Sequence, residues 1–206
     1  MIKVNGLAKR LGAQTVFRQL TFEWGQRDVI CVYGPNGSGK TTLLSMLAGA
    51  SAPSAGDIVL NGRSLVHAHQ AALEMVSYVP DGCPVYPFLT GREWLDFVQS
   101  IRSWNRERAK EMLERFSIAH LLDTRIDSVS LGTAKKFLLT AGRACEAPIL
   151  ILDEPTNGLD LASFDVLREV LARHRQQGLV VLTCHDPAQQ QQLDVTPVQL
   201  HSLEAA

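Results

Sequence analysis

The sequence lacks an excess of charge of either sign. Its 20 lysines and arginines face 21 aspartates and glutamates, which leaves a formal net charge of −1 at pH 7. Proteins that hold nucleic acid or an anionic membrane by bulk electrostatics carry a marked positive balance. The composition therefore offers no electrostatic support for a nucleic-acid partner, and we expect none.

Long apolar runs and closely spaced cysteines are also missing. Runs such as PILIL and LVVL are far shorter than the roughly 20 residues that span a bilayer as a helix. The N-terminal stretch MIKVNGLAKR has no apolar segment typical of a secretory signal. No C-x-x-C pair occurs among Cys31, Cys83, Cys145 and Cys184, which predicts reduced thiols. We expect a cytoplasmic protein, for which any role at a membrane needs a partner chain.

What the chain does have is the pattern of a folded α/β domain. Of its 206 residues, 46% are apolar and 20% are charged, a balance that can form a sizeable core. The runs RDVICVY, PILILDEP and LVVLTCH predict buried strands that alternate with helices, which is typical of a parallel sheet. Residues 1–25 alternate at short range and predict antiparallel strands. Thr90 and Asn105 are candidate N-caps of two helices, and Gly178 is a candidate C-cap of a later one.

A glycine-rich stretch follows the first buried strand. GPNGSGKT, from Gly34 to Thr41, fits the pattern G-x-x-x-x-G-K-[ST]. In such a loop backbone N–H groups point at phosphates, Lys40 reaches the β- and γ-phosphates, and the Thr41 hydroxyl ligates Mg²⁺. The predicted phosphate-binding residues are Gly34, Pro35, Asn36, Gly37, Ser38, Gly39, Lys40, Thr41 and Thr42. The alternative, a glycine-rich turn that matches by chance, does not account for the strand before it and the helix after it.

These patterns together predict the fold class. We expect α/β architecture, with a P-loop NTPase core built on a mainly parallel sheet, an N-terminal antiparallel β subdomain and an inserted α-helical subdomain. A single domain would cover residues 1–206. Residues 1–84 and 147–206 would form the RecA-like core with the antiparallel strands, and residues 85–146 would form the helical subdomain.

Two acids and a histidine follow later strands. Asp153 and Glu154 come directly after ILIL, at the end of a strand where parallel sheets bind ligands. Asp153 can hold Mg²⁺, and Glu154 can accept a proton from an attacking water molecule. The alternative, two solvated acids in a loop, is weak beside a phosphate-binding loop. His185 ends the strand in TCHDP, where a structural role and a hydrogen bond to the γ-phosphate are equally open.

At this point the ordered motifs resemble the nucleotide-binding subunit of an ABC transporter. The resemblance spans about residues 1–185 and uses GPNGSGKTT as Walker A, YVPD at the Q-loop and VSLGTAKK at the signature. It continues with ILILDEPTNGLD as Walker B and D-loop, and TCHD at the switch histidine. It implies ATP and Mg²⁺ as ligands, with Lys40, Glu154 and His185 as catalytic residues. It also implies a head-to-tail pair in which Ser130 and Gly132 reach the partner's nucleotide and Asp160 lies near the interface.

The same resemblance implies partners. They would be a second copy of the chain or a paralogous ATPase subunit, and a transmembrane permease that holds the chain on the inner face of the cell membrane. Export is favoured over import. One alternative is a nucleotide-gated interaction module with weak or no hydrolysis, and another is a non-transport role on ribosomes or DNA. The aromatic residues Tyr86, Phe88, Trp94, Phe97 and Trp104 would either pack inside the helical subdomain or, in part, form the permease-docking groove.

Three motifs depart from the family pattern. The signature has Leu131 and Thr133 where glycine and glutamine are usual. Leu11 stands where an aromatic side chain normally stacks on adenine, and Phe17 is a nearby substitute in sequence. Asp81 replaces the usual Q-loop glutamine. Its carboxylate is either a Mg²⁺ ligand that couples subdomain closure to nucleotide, or part of a Pro-Asp-Gly turn, and both roles are compatible.

Overall fold

A computed structural model describes residues 1–82 and 86–204. The predicted subdomain boundary between residues 84 and 85 lies outside the described residues, as does Cys83. The strands are β1 (Ile2–Leu11), β2 (Gln14–Trp24), β3 (Asp28–Tyr33), β4 (Ala55–Leu60), β5 (Arg63–Ser64), β6 (Val76–Val79), β7 (Ile149–Leu152), β8 (Leu179–Thr183) and β9 (Thr196–Gln199). The helices are α1 (Lys40–Leu47), α2 (His69–Leu73), α3 (Gly91–Ile101), α4 (Arg106–Arg115), α5 (Leu131–Ala144), α6 (Leu161–Arg175) and α7 (Pro187–Gln192). Short 3₁₀ segments cover Ala119–Leu121, Ile126–Ser128 and Leu200–Leu203.

The strands form two sheets of opposite type. One is antiparallel in the order β2-β1-β4-β5, and the other is parallel in the order β6-β7-β8-β3-β9. Every residue of β7 and β8 is buried, as expected for central strands covered on both faces. The edge strand β9 is absent from the sequence prediction, because its residues TPVQ are mostly exposed and include Pro197.

The parallel sheet separates two apolar cores. Ile149 and Ile151 of β7 pack into a core shared with α1 and the antiparallel sheet. Leu150 and Leu152, which point the other way, pack into a core shared with α3 to α6. The alternation along one buried strand therefore joins the antiparallel layer and the helical layer to the same sheet.

The helix ends match the sequence at their starts better than at their stops. Thr90 caps α3 in a capping box with Glu93, and Asn105 caps α4, as predicted. The C-cap of α6 is Gln176, whereas the sequence suggests Gly178. Glycine is needed at 178 for another reason, because a Cβ there would lie 2.2 Å from the carbonyl oxygen of Pro148. No helix in the described part of the chain is both long and apolar enough to cross a membrane.

The register of the parallel sheet aligns four strand ends. Val79 pairs with Leu152, and Leu152 pairs with Leu182, while Val32 pairs with Thr183. Because these strands run in one direction, the loops that follow them emerge at one edge of the sheet. That edge carries the candidate functional site.

Candidate functional site

The loop between β3 and α1 has the backbone that a phosphate needs. Gly37 and Gly39 both adopt positive φ, at 75° and 103°. A Cβ on Gly39 would lie 2.7 Å from the Phe17 ring, so only glycine fits there. No side chain caps the start of α1. The first amides of that helix are therefore available to an anion.

The Lys40 side chain is folded back onto this loop. Its ammonium donates hydrogen bonds to the carbonyl oxygens of Gly34 (2.9 Å) and Pro35 (3.0 Å). The nearby Ser38 hydroxyl is buried and has no hydrogen-bond partner among the described residues. An incoming phosphate would exchange the two carbonyl contacts of Lys40 for charged ones, which are stronger.

A cleft of about 370 Å³ opens between the loop and the β1–β2 hairpin. It is lined by Leu11, Gln14, Val16, Gly37, Gly39, Lys40, Thr41 and Thr42. Leu11 is 53% exposed, whereas Phe17 is only 2% exposed and packs under Gly39. The suggestion that Phe17 replaces the missing aromatic is therefore wrong, because its strand alternation turns the ring into the core.

The end of β7 holds a small hydrogen-bonded network of buried groups. The Thr183 hydroxyl donates to Asp153 Oδ1 (2.7 Å) and accepts from the backbone N–H of Glu154 (2.8 Å). Asp153 Oδ2 is buried without a hydrogen-bond partner among the described residues. One threonine on β8 thus holds the Asp153 carboxylate and the Glu154 backbone just after β7, and it leaves one carboxylate oxygen of Asp153 without a partner among the described residues.

Glu154 occupies an unusual environment. Its backbone is left-handed, with φ of 45°, a conformation that costs energy in a non-glycine residue and is concentrated at functional sites. Burial raises the pKa of its carboxyl group, and the charge of Asp153 adds to that effect, while His185 and Lys40 oppose it. His185 Nε2 lies 2.9 Å from Glu154 Oε1, close enough for an ion pair but without the alignment of a hydrogen bond.

Asp81 follows β6 at the same edge. Its side chain is 48% exposed, and Oδ1 lies 3.6 Å from the ammonium of Lys135 on α5. Gly82, the next residue, has a φ of 69°, which is compatible with the turn interpretation. The chain bends at Asp81 and Gly82, the residue after them lies outside the described residues, and the buried Lys135 ammonium is a neighbour of Asp81.

The residues of this edge fit Mg²⁺ on the chemistry of their donors. Mg²⁺ is usually held by one or two carboxylates together with substrate phosphates and water. The unpartnered Oδ2 of Asp153 is a suitable hard oxygen, and the Thr41 hydroxyl lies at the start of α1 beside the loop. Within residues 1–82 and 86–204, no three His, Cys, Asp or Glu side chains form a ready-made metal cluster.

The signature segment begins α5 and faces outward. Ser130 is the N-cap, and its Oγ accepts a hydrogen bond from the Thr133 N–H (3.1 Å). A Cβ on Gly132 would lie 2.2 Å from the carbonyl oxygen of Gly158, so this glycine permits close backbone packing. Leu131 is 60% exposed. The capping interpretation of Ser130 is thus present in the structure, and its exposed position leaves the second role open.

Asp160 connects the loop before α6 to α5. It caps α6 by accepting from Ser163 N–H (2.8 Å), and it receives a hydrogen bond from the Lys136 ammonium (2.9 Å). These contacts, with the Lys136 bond foremost, hold the pKa of Asp160 well below its usual range. Leu161 beside it is 88% exposed. The described segments 130–133 and 158–161 therefore form one surface, held by the Gly132–Gly158 contact and the Lys136–Asp160 pair.

The aromatic residues of the helical layer divide into two groups. Trp94 and Trp104 pack against the core of that layer. Tyr86 and Phe88 are exposed and stacked on each other, with ring centroids 5.5 Å apart. Phe97 is exposed at the rim, 6.1 Å from Trp94 between ring centroids. Packing thus accounts for the tryptophans and leaves the Tyr86–Phe88 pair to be explained.

Sequence reasoning missed three residues of this site. The sequence held one signal for Thr183: it is a polar residue at the end of the apolar run LVVL, two positions before His185. Lys135 and Lys136 gave none, because the sequence does not show which surface lysine is drawn into a core. Their roles depend on contacts with residues more than 15 positions away.

Comparisons with known proteins agree with this geometry. A family model described as ABC transporter matches residues 17–157. The chain is 33% identical over 186 residues to the cytochrome c biogenesis ATP-binding export protein CcmA of Pseudomonas putida strain GB-1, covering 89% of each chain. It is 30% identical over 170 residues to an uncharacterized ABC transporter ATP-binding protein, YdbJ of Bacillus subtilis, where it covers 82% of this chain and 55% of that one. The chain thus spans about half the length of this second relative.

A solved structure extends the agreement to the fold. The structure of an ATP binding subunit of an ABC transporter superposes with a TM-score of 0.89 and 24% identity, over 100% of this chain and 88% of that one. The predicted α/β fold, with parallel and antiparallel sheets around a P-loop NTPase core, is confirmed.

Proposed function

The chain belongs to the ABC transporter family, whose ATP-binding domain is an ATPase, and on that premise we propose that it binds ATP with Mg²⁺, hydrolyses it and drives a separate membrane permease. The observation that carries the proposal is the network of Asp153, Glu154 and Thr183 at the sheet edge that also bears the phosphate-binding loop. A buried acid with a raised pKa beside such a loop suits proton transfer from water.

The loop residues would hold the phosphates. They are Gly34, Pro35, Asn36, Gly37, Ser38, Gly39, Lys40, Thr41 and Thr42. Lys40 would leave the carbonyls of Gly34 and Pro35 and pair with phosphate oxygens, which offsets the negative charge of the triphosphate. The adenine ring would lie in the same cleft, beside the aliphatic side chains of Leu11 and Val16.

Asp153 and the Thr41 hydroxyl would hold Mg²⁺, and Asp81 is a further candidate ligand through water. When bound, the ion would neutralise charge on the β- and γ-phosphate oxygens. Thr183 would contribute by holding Oδ1 of Asp153, which leaves Oδ2 as the carboxylate oxygen for the ion. Pre-positioned donors of this kind lower the barrier to reaction.

Glu154 and His185 would act on the attacking water. As the water oxygen bonds to the γ-phosphorus, Glu154 takes a proton from that water. The bond between the γ-phosphorus and the ADP oxygen breaks at the same time. His185, whose Nε2 lies 2.9 Å from Glu154 Oε1, would turn from the carboxylate and donate a hydrogen bond to the γ-phosphate. The products are ADP and inorganic phosphate. The phosphate keeps the water oxygen and one of its hydrogens, and the second hydrogen passes from Glu154 to the phosphate or to solvent, which restores the carboxylate.

The second half of each site would come from another subunit, either a second copy or a paralogous ATPase subunit. Ser130 and Gly132 would face the partner's γ-phosphate, and Asp160 would lie at the interface. The exposure of Leu131 and Leu161 supports this arrangement, since two large apolar side chains flank the surface that would be covered. Cover by a second chain would remove both from water.

A membrane permease would dock on the helical subdomain, residues 85–146, which is inserted between core segments 1–84 and 147–206. The exposed Tyr86–Phe88 pair supports that docking site. The chain would then sit on the cytoplasmic face of the membrane through its partner. Export is the proposed direction, in keeping with the export protein named among its relatives.

Steady-state ATPase activity measured against protein concentration tests the proposal, with Glu154→Gln as the matched control. We expect activity that rises faster than linearly with concentration and falls by about 10²-fold or more in the control, because general-base loss has effects of that order. Tight ATP binding with no activity above the control, also after addition of the co-purified permease, would favour a nucleotide-gated interaction module instead.

A further inference from the structure

Lys135 is a lysine in an unusual place. It lies on α5, and its side chain is among the largest fully buried ones of the chain. Its ammonium donates to the carbonyl oxygens of Pro80 (3.1 Å) and Asp153 (3.3 Å). These two carbonyls stand directly after β6 and β7, so one side chain contacts the ends of two neighbouring strands at the catalytic edge.

A buried ammonium is costly unless charge and hydrogen bonds compensate it. Carbonyl oxygens supply hydrogen bonds, and Asp81 supplies charge, with Oδ1 at 3.6 Å from Nζ. The Lys135 ammonium in turn compensates the charge of Asp81. Asp81 stands at the edge where the proposed function places a triphosphate, and an uncompensated carboxylate there would repel it.

From these contacts we infer that Lys135 is a positioning residue, which supplies the resident counter-charge for Asp81 and ties the ends of β6 and β7 to the signature helix. This inference rests on the proposed function for the identity of the ligand. Lys135 lies on the same helix as Ser130, the N-cap of α5, about a turn and a half further along. A shift of either strand end would therefore be passed to the segment that faces the partner subunit.

The neighbouring Lys136 supports this view of α5. Its ammonium pairs with Asp160 at 2.9 Å, so consecutive lysines attach one helix to two different loops of the core. Lys135 contacts the ends of β6 and β7, and Lys136 contacts the loop before α6. The two contacts involve different acids, so each can be removed separately.

A double-mutant cycle tests the inference. Wild type, Lys135→Gln, Asp81→Asn and the double variant are compared for ATP binding by calorimetry, with and without Mg²⁺, and for thermal unfolding without nucleotide. Glutamine keeps a hydrogen-bond donor and removes the charge. Without Mg²⁺, where Asp81 acts on the triphosphate through its charge alone, we expect Lys135→Gln to weaken ATP binding about fivefold and Asp81→Asn in that background to restore it to within about twofold of wild type. Lys110→Gln, at an exposed position of α4, is the matched charge control and should bind as wild type.

Two binding results would overturn the inference. The double variant binding as weakly as Lys135→Gln would mean that Lys135 acts on nucleotide or packing without Asp81. Wild-type binding by Lys135→Gln would remove the role altogether. If Lys135→Gln shows no folding transition, Asp81→Asn alone decides. We expect a lowered Tm, because it removes one charge partner of a buried ammonium, and an unchanged Tm would contradict the pairing. If wild type binds no ATP, the proposed function fails, while coupling between the two residues in Tm still tests the pair.

Discussion

The end of β7 and the start of α5 carry the two halves of the proposed site, and they are built differently. At the end of β7, Asp153 and Glu154 are buried and are oriented by Thr183 from the next strand. At the start of α5, Ser130 and Leu131 face outward. The first half is assembled within one chain, whereas the second lies exposed at the surface. The proposed second subunit would account for this difference.

The two halves also differ in what holds them in position. Side-chain hydrogen bonds fix the buried half, where each lost partner leaves a polar group without water. A close backbone contact between Gly132 and Gly158 and one ion pair, Lys136 with Asp160, fix the outward half. Changes in the buried half should therefore cost more stability than changes in the outward half.

The largest expected effect comes from Thr183→Val, which breaks the buried half. It leaves the Glu154 N–H and Asp153 Oδ1 buried without the hydroxyl that joins them, for a loss of about 3 kcal/mol of unfolding free energy. ATPase activity should fall with it. Urea unfolding measures the first effect. Thr183→Ser keeps the hydroxyl and should retain most of both, and an equal loss in the serine variant would point to packing instead.

Gly132→Ala should break the backbone contact of the outward half. The new Cβ would meet the carbonyl oxygen of Gly158 at 2.2 Å, and relief of that clash costs about 1–3 kcal/mol. The measurement is again the free energy of unfolding. Gly25→Ala is the control, because a Cβ there meets nothing within 4 Å. Equal stability of the two variants would show that the backbone at Gly132 and Gly158 moves apart without a measurable loss of stability.

Ser130→Ala sharpens the comparison by separating capping from function. Loss of an N-cap costs about 1 kcal/mol, and Asn105→Ala on α4 should cost about the same. Only Ser130→Ala should also reduce ATPase activity at matched concentration, since only Ser130 is proposed to face the partner's nucleotide. Parallel assays of both variants would settle this, and equal activities would leave Ser130 as a helix cap alone.

The smallest expected effect is a contrast in pH dependence between the halves. The pKa of Glu154 is raised by burial, so the folded state loses stability as pH rises from the unfolded value of 4.5 through the folded one. Glu154→Gln should therefore be more stable than wild type at pH 8, with the difference shrinking toward pH 4.5.

The opposite sign applies to Asp160, whose pKa is lowered by Lys136 and Ser163. Its stabilising contribution is present above the unfolded pKa of 3.8 and is lost as pH falls through the folded value. Asp160→Asn keeps a capping oxygen and should be slightly less stable than wild type at pH 8. Denaturant unfolding of Glu154→Gln and Asp160→Asn across pH measures both differences in stability from wild type. If both variants were more stable than wild type at pH 8, or both less stable, the expected contrast would be contradicted.

Local patterns predicted the elements of this fold well where they were strong. The buried strands β3, β7 and β8 and the caps Thr90 and Asn105 all follow from short stretches of sequence. Patterns failed where residues were few or mostly exposed, as in β9 and α7. Phe17 shows a different failure. Its neighbour Val16 lines the cleft, and the alternation of one strand sends the ring of Phe17 inward.

The sequence by itself determined the glycine-rich loop, the acids after β7 and the family, because these depend on residue types at fixed short spacings. Only the tertiary structure decided that Thr183 joins Asp153 to Glu154, and that Lys135 and Asp81 face each other. Such contacts join residues that are 30 and 54 positions apart for Thr183–Asp153 and Lys135–Asp81 respectively. Sequence separation does not predict which strand ends become neighbours at one edge, because the order of strands in the sheet and the placement of the helices determine it.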